Sequence, residues 1–412
     1  MTTRERIEAI YAAGVAAVDP RECVRRAVAE LVGSGQLSGE APNIHVIAIG
    51  KAAALMTAGA AEALGHGIAG GVVVTKAPAS ERLPGLTYLE GAHPVPDEQS
   101  LEAGRAVLAY ADAVPKGDLV LCLISGGGSA LVESLHPGLE LADLQAVTRE
   151  LLSVGAPIEE LNAVRSRLSK LKGGGLLRAL EGRAVVNLIV SDVLGDNLPA
   201  IASGPTVEPK ASRTAEEIAE RYALDITFPD AGPSSFGGPA ATRVIANLPA
   251  ALDAAAREAE RLGMRPVVLS DRFEGEAREL GRTLAAIFKG RDHPLSPLQA
   301  GACVLAGGET TVIVRGDGVG GRNTEAALAA AIELRESSGV TVGFLATDGD
   351  DGVTGAAGAI VDGATISTEA AGRARRALER NDSFGFLAET GAVWAPGATG
   401  TNVNDLVIAI IE

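Results

Sequence analysis

Lys51 sits at a costly place. It follows Gly50 and the apolar run Ile44–Ile49, and it opens a helical pattern. A lysine at a helix N-terminus adds to the positive end of the helix dipole, a cost that an anion beside it relieves. The plainer reading is a surface lysine on a first turn. A second cluster, Ser125-Gly126-Gly127-Gly128-Ser129, follows the apolar run ending at Ile124. Three glycines let successive backbone N–H groups converge on phosphate or carboxylate, and hydroxyls flank them. One glycine is normally enough for a strand-to-helix turn that needs positive φ. The third cluster, Gly316-Asp-Gly-Val-Gly-Gly321-Arg322-Asn323, contains G-x-G-x-x-G between a strand and a helix. The acidic residue that a dinucleotide fingerprint wants about 20 residues on is absent, because Asp348 lies 27 residues after Gly321. An anion clamp on Gly320, Gly321, Arg322 and Asn323 is the preferred reading, and dinucleotide binding is the minority one.

Carboxylates follow two further strand candidates. Asp192 and Asp196 suit a general base or ligands for a hard cation, and equally an Asx-turn. Asp348, Asp350 and Asp351 crowd into four residues, as near a cation, or as a solvated acidic loop. They lack the spacing of an EF-hand. Asn162, Arg165, Ser169 and Lys172 fall on one stripe of a helix predicted over 158–172, which offers a basic wall. Gly173–Gly175 reads as its C-cap. Gly307–Thr310 reads as a hairpin turn before a strand at 311–315. No Walker A loop and no G-x-S-x-G elbow occurs, and no histidine lies in the glycine-rich clusters.

The elements around these clusters alternate. Nine strand candidates (44–49, 71–75, 118–124, 184–190, 266–270, 302–306, 311–315, 340–346, 406–411) are separated by helical patterns. Most strands are continuously apolar, as in sheets covered on both faces, so an α/β fold with mainly parallel sheet is predicted. Nearly every cluster follows a strand, where open α/β sheets bind ligands. The 412 residues suffice for two or three domains. The Pro-, Gly- and Ser-rich stretch 228–239 is the predicted boundary.

Composition narrows the partners. The net charge of −16 argues against nucleic acid and anionic membrane surfaces. It also calls for local positive charge or a metal if the substrate is a small anion. Three scattered cysteines argue against a disulfide framework and for a reducing compartment. No apolar run reaches ~18 residues and no signal peptide is visible, so a soluble cytoplasmic protein is expected.

Lysine, arginine, anion loops and carboxylates together suit phosphoryl transfer better than hydride transfer. The clusters also resemble a family. Gly50-Lys51-Ala52-Ala53, Gly91-Ala-His93-Pro-Val-Pro-Asp97, Ser125–Leu131, Asn162-Ala-Val-Arg165, Lys172–Gly175, Ser191-Asp192-Val193, Ala202-Ser-Gly-Pro-Thr206, Gly307–Thr310, Gly320–Asn323 and Gly400–Asp405 are similar, in order, to the class II glycerate kinases with a C-terminal MOFRL domain. Asp348 and Asp351 match that family's pattern, whereas Asp350 is an addition.

The resemblance implies two α/β domains: a Rossmann-like glycerate kinase domain over 1–235 and a domain over 236–412 with the MOFRL region at about 300–407. The active site is implied to lie in the cleft between them. It implies ATP-dependent phosphorylation of D-glycerate on the 2-hydroxyl, with Mg²⁺, giving 2-phosphoglycerate and ADP. Lys51, Asp192 and Arg322 are then the catalytic candidates. Ser125, Gly126, Gly127, Gly128, Ser129, Arg165, Lys172, Gly320, Gly321 and Asn323 bind substrate or phosphate, and Asp192, Asp348 and Asp351 are the metal candidates. The partners are the small molecules alone, with a homodimer left open. The alternatives are an NAD(P)H-dependent hydroxypyruvate reductase and a non-catalytic metabolite sensor.

Overall fold

The structure is a computed structural model and describes residues 1–37, 43–65, 67–207, 213–230 and 240–412. The chain divides into two compact units, Pro20–Ile245 and Met1–Asp19 with Ala246–Glu412. The predicted break at 235/236 falls outside the described residues. The first nineteen residues depart from the predicted division, because they pack with the C-terminal part.

The unit Pro20–Ile245 is built on strands β1 (Ile44–Ile49), β2 (Ile68–Thr75), β3 (Leu86–Glu90), β4 (Leu119–Ile124), β5 (Ala184–Val190) and β6 (Ala240–Ala246), in the order β3-β2-β1-β4-β5-β6. The pairings from β3 through to β5 are all parallel. All six residues of β4 are buried, which is why its sequence, Leu-Val-Leu-Cys-Leu-Ile, does not alternate. The helix Glu98–Ala113 starts where its cap requires: the Asp97 carboxylate accepts from the N–H groups of Gln99 (2.9 Å) and Ser100 (3.1 Å).

The helix predicted over 158–172 stops at Leu168. The Ser169 hydroxyl accepts from the N–H groups of Leu171 and Lys172, and the Lys170 N–H turns to the Ser134 carbonyl. A serine offering its own backbone an alternative partner is a common way to end a helix. Ser169 and Lys172 therefore leave the stripe that Asn162 and Arg165 share.

The other unit carries β7 (Arg265–Phe273), β8 (Ala302–Gly308), β9 (Val340–Ala346), β10 (Gly358–Asp362), β11 (Val393–Trp394) and β12 (Asp405–Ile411), in the order β11-β10-β9-β12-β8-β7. This sheet is mixed. β12 inserts antiparallel between β8 and β9, and only β7–β8 pairs parallel among the described residues. No strand forms at 311–315 and no hairpin at 307–310. Gly307 and Gly308 finish β8, and the chain then runs past the end of β7, with Glu309 N–H on the Phe273 carbonyl and Thr311 N–H on the Gly275 carbonyl.

The helix Arg322–Leu334 is alanine-rich and buried along most of its length. A Cβ on Gly281 would stand 2.1 Å from the Ala326 carbonyl oxygen, so the helix Ala277–Lys289 approaches it backbone to backbone. The first helix, Thr3–Ala17, is tied into this unit by its side chains. The Tyr11 hydroxyl donates to the Ala346 carbonyl (2.7 Å), and its ring meets Trp394 edge-on at 4.6 Å. No helix among the described residues is long and apolar enough to cross a membrane.

Candidate functional site

In the unit Pro20–Ile245 the strand order reverses between β1 and β4, whose last residues, Ile49 and Ile124, stand opposite each other. A doubly wound sheet binds ligands at such a switch point, outside the carboxyl ends of its strands. The two chains leaving it are laced together. Ser125 N–H donates to the Ile49 carbonyl (2.9 Å), Lys51 N–H to the Gly126 carbonyl (2.9 Å), and Ala52 N–H to the Ser125 hydroxyl (3.1 Å). Gly50 has φ +131° with Ser125 Oγ 2.2 Å from where a Cβ would lie, so no other residue fits.

The glycines of the 125–129 loop are defined by what they touch. A Cβ on Gly126 would lie 1.9 Å from an Asp192 carboxylate oxygen. Gly127, at φ +80°, has Lys51 Cγ and His93 Cδ2 each 3.1 Å from its Cβ position. Gly128 lies against Ala202. The Ser129 and Ser203 hydroxyls are 2.8 Å apart, and the Ser203 hydroxyl donates to the Asn162 side chain (3.1 Å). Arg165 reaches the Ser129 carbonyl at 3.4 Å, and its buried Nε has no partner. The structure thus brings together Lys51, Ser125–Ser129, Arg165 and Asp192. It adds His93 and Lys76, which stand beyond the carboxyl ends of β3 and β2.

The charges are arranged for an anion. Lys51 is exposed, and among the described residues it has no ion-pair partner. Burial pushes the Asp192 carboxyl above its usual range, while Lys51 pulls the other way. Burial and then Lys51 and Lys76 pull the His93 imidazole down to about 4, so it is neutral at pH 7. Lys51, a neutral imidazole and a carboxylate with raised proton affinity lie against one glycine loop, with Lys76 near enough to act on the imidazole. That combination suits binding a small anion and accepting a proton from it.

Lys172 is not a free charge beside Arg165. Its ammonium is fully buried in an ion pair with Glu133, and burial pulls it down to about 8 against the opposing effect of Glu133. Asp196 takes left-handed backbone (φ +54°) in the loop beyond Asp192.

The cluster in the other unit is closed by its own chain. The Arg322 guanidinium holds Asp405 with two nitrogens (2.5 and 3.0 Å) and Glu309 with the third (3.0 Å). Burial alone would lower its proton affinity, but these carboxylates raise it. Arg322 is therefore not a spare positive charge. The N-terminus of the helix Arg322–Leu334 already holds an anion, Asp351. Its carboxylate accepts from the N–H groups of Asn323 (2.9 Å) and Thr324 (2.8 Å), the Thr324 hydroxyl (2.9 Å) and the Asn323 amide (3.4 Å). Burial raises the Asp351 carboxyl, and these donors act against it. The Asp348 carboxylate accepts from the Asp350 N–H (3.0 Å).

The glycines of the 316–321 loop serve internal packing. Cβ atoms on Gly316, Gly318, Gly320 and Gly321 would lie 2.3–2.4 Å from Arg380, Asp382, Ser383 and Asp351, and none of the four has positive φ. The Asn381 side chain accepts from the N–H groups of Arg315 and Gly316, which fixes the loop to the same segment. The dinucleotide reading fails here, because the helix N–H groups and the glycine faces it needs are taken by protein atoms.

Fold and site define a class: an α/β protein that gathers a lysine, a carboxylate and a glycine loop at the switch point of a doubly wound sheet. Comparison with known proteins makes the class specific. Residues 6–232 match a domain described as of unknown function, DUF4147, and residues 302–405 match the MOFRL family. A protein from Thermotoga maritima named D-glycerate 2-kinase is 41% identical over 89% of this chain and 90% of its own. A protein from Agrobacterium vitis, provisionally named a hydroxypyruvate reductase, is 38% identical over 100% of this chain and 95% of its own. The crystal structure of a glycerate kinase from Thermotoga maritima superposes with a TM-score of 0.90 at 38% identity, covering 99% of each chain. The chain belongs to the glycerate kinase family with a C-terminal MOFRL domain, a family of enzymes.

Proposed function

We propose that the chain transfers the terminal phosphoryl group of ATP to the 2-hydroxyl of D-glycerate, giving 2-phosphoglycerate and ADP. The observation that carries this reading is the switch-point site. Partner-free Lys51 and burial-raised Asp192 both lie against the glycine loop 125–129.

Lys51 and the loop N–H groups neutralise negative charge on glycerate and on the phosphoryl in transit. Asp192 accepts the proton of the attacking hydroxyl, a task suited to a carboxylate held above its usual proton affinity. His93, neutral and between two lysines, donates or accepts a hydrogen bond without adding a third charge. Arg322 acts through its neighbours, by fixing Asp405 and the start of its helix.

Mg²⁺ enters as part of the nucleotide substrate, keeping waters and phosphate oxygens as ligands. The aspartates considered for it do not fit a resident ion. Both Asp351 oxygens are taken by four donors, and among the described residues no group of three His, Cys, Asp or Glu side chains is arranged to hold a metal. A cytoplasmic location fits the three buried cysteines, all in the thiol form.

The test is an assay with D-glycerate and Mg·ATP, coupled once through an enzyme specific for 2-phosphoglycerate and once through one specific for 3-phosphoglycerate. Signal in the first alone is expected. Lys51→Ala should lower kcat/KM by roughly 10²–10³, the usual cost of losing a preorganised charge partner. NADH loss with hydroxypyruvate and no ATP turnover would replace this reading with the reductase.

A further inference from the structure

Away from the switch point, the unit Pro20–Ile245 carries a second basic feature. A hollow of about 470 Å³ is lined by Arg105, Ser134, His136, Lys170 and Arg178, with Asp112 as its one carboxylate. It shares Arg105, Ser134 and Lys170 with a neighbouring hollow of about 530 Å³, whose further lining includes Leu101, Leu135, Leu139 and Leu141, with Glu98 and Glu140 among them. Among the described residues the side chains of Arg105, Lys170 and His136 have no hydrogen-bond or ion-pair partner. In a chain of net charge −16, three such groups converging on one hollow is unusual, since the 52 acidic residues offer ample partners elsewhere. The charges around His136 are positive: after burial, Lys170, Arg167 and Arg178 all act to deprotonate it. The floor is fixed, because Lys170 N–H donates to the Ser134 carbonyl at 2.7 Å and Leu135 bridges to Ser169. None of these residues belongs to the proposed reaction.

We propose that this groove binds a phosphomonoester, with the phosphate dianion between Arg105, Lys170 and His136 and the carbon body along the leucine-lined hollow. Two or three cationic or N–H donors are the usual complement of a bound phosphate, and Arg105 can engage it with two nitrogens. The adjoining apolar lining distinguishes an organic ester from inorganic phosphate, which gains nothing from leucine.

The experiment titrates inorganic phosphate and phenyl phosphate into the full chain and follows histidine resonances by NMR. With five histidines, His136 is assignable through His136→Gln. Saturable movement of the His136 signal is expected, with phenyl phosphate at least fivefold tighter than inorganic phosphate. The Arg105→Ala/Lys170→Ala variant should weaken this binding at least tenfold. Both altered side chains are exposed, so glycerate turnover and Tm should remain as in the parent. Lys51→Ala should leave the His136 titration unchanged, which separates this groove from the reaction site: turnover surviving Lys51→Ala would sink the proposed function and leave the groove intact. Movement of His93 alone, equal binding by the Arg105→Ala/Lys170→Ala protein, or equal affinity for the two phosphates would overturn the proposal.

Discussion

Lys172→Met should destabilise the unit Pro20–Ile245 severely, and Glu133→Leu in the same chain should restore much of the loss. The Lys172 and Glu133 side chains are 2% and 0% exposed, so water screens neither charge. Removing one partner of such a pair leaves a buried charge uncompensated, at about 3–5 kcal/mol. Replacing both with apolar groups of similar volume removes two desolvation costs along with one attraction, and is often neutral. In a unit of this size 1 kcal/mol moves Tm by about 2–4 °C, so the single variant should melt about 6–20 °C early. Thermal unfolding by calorimetry, which can separate the two units' transitions, is the measurement. Glycerate turnover adds a second readout: Lys172 as a substrate ligand requires the double variant to be folded and inactive, whereas the buried pair requires it to be folded and active. A Lys172→Met protein with Tm within 2 °C of the parent would refute the reasoning.

Four further outcomes follow from the same structure. The His93 imidazole should titrate near pH 4 and move toward 6.5 in Lys51→Met; a midpoint near 6.5 in the parent would show that burial and the two lysines do not act on it. Because native His93 holds fewer protons than the unfolded chain between about pH 4 and 6.5, it makes stability fall as pH drops through that window, measurable by urea denaturation. Gly126→Ala and Gly127→Ala should each abolish most turnover with little change in far-UV circular dichroism, since the new methyl meets Asp192 in one and needs left-handed backbone beside Lys51 in the other. Asp351→Ala should cost the C-terminal unit about 1–3 kcal/mol by stripping the acceptor from two helix N–H groups, and an unchanged Tm would contradict the capping role.

Much of the site was legible because local rules dominate there. β1, β5 and β9 fall where continuous apolar runs place them, and Gly50, Lys51 and Gly126–Gly128 follow strands whose ends face ligand in any doubly wound sheet. His93 was harder to see. It follows β3, a half-exposed strand of five residues at the sheet edge, whose sequence has no strong period. Lys172 falls on the predicted stripe only if helical periodicity continues past Leu168, where the Ser169 hydroxyl ends the helix. Arg322 and the glycines before it show the opposite limit. A helix N-terminus preceded by glycines demands an anion, and that demand is real, but a carboxylate 27 residues along the chain from Thr324 meets it. Strand polarity in the C-terminal sheet was not legible either, since an antiparallel strand covered on both faces reads as apolar as a parallel one.

The N-terminal helix has a consequence for synthesis. Thr3 donates from its hydroxyl to the Glu412 carboxylate, and Thr401 from its hydroxyl to the Val18 carbonyl (2.9 Å), so the first and last segments emerge from the ribosome hundreds of residues apart yet end side by side. Residues 1–19 pack with Ala246–Glu412, so the first helix is not housed until β12, which completes the middle of its sheet, has been made. Joined termini with new ends opened at 19/20 would turn this into two units read consecutively. Such a circular permutant should keep the fold while removing the wait.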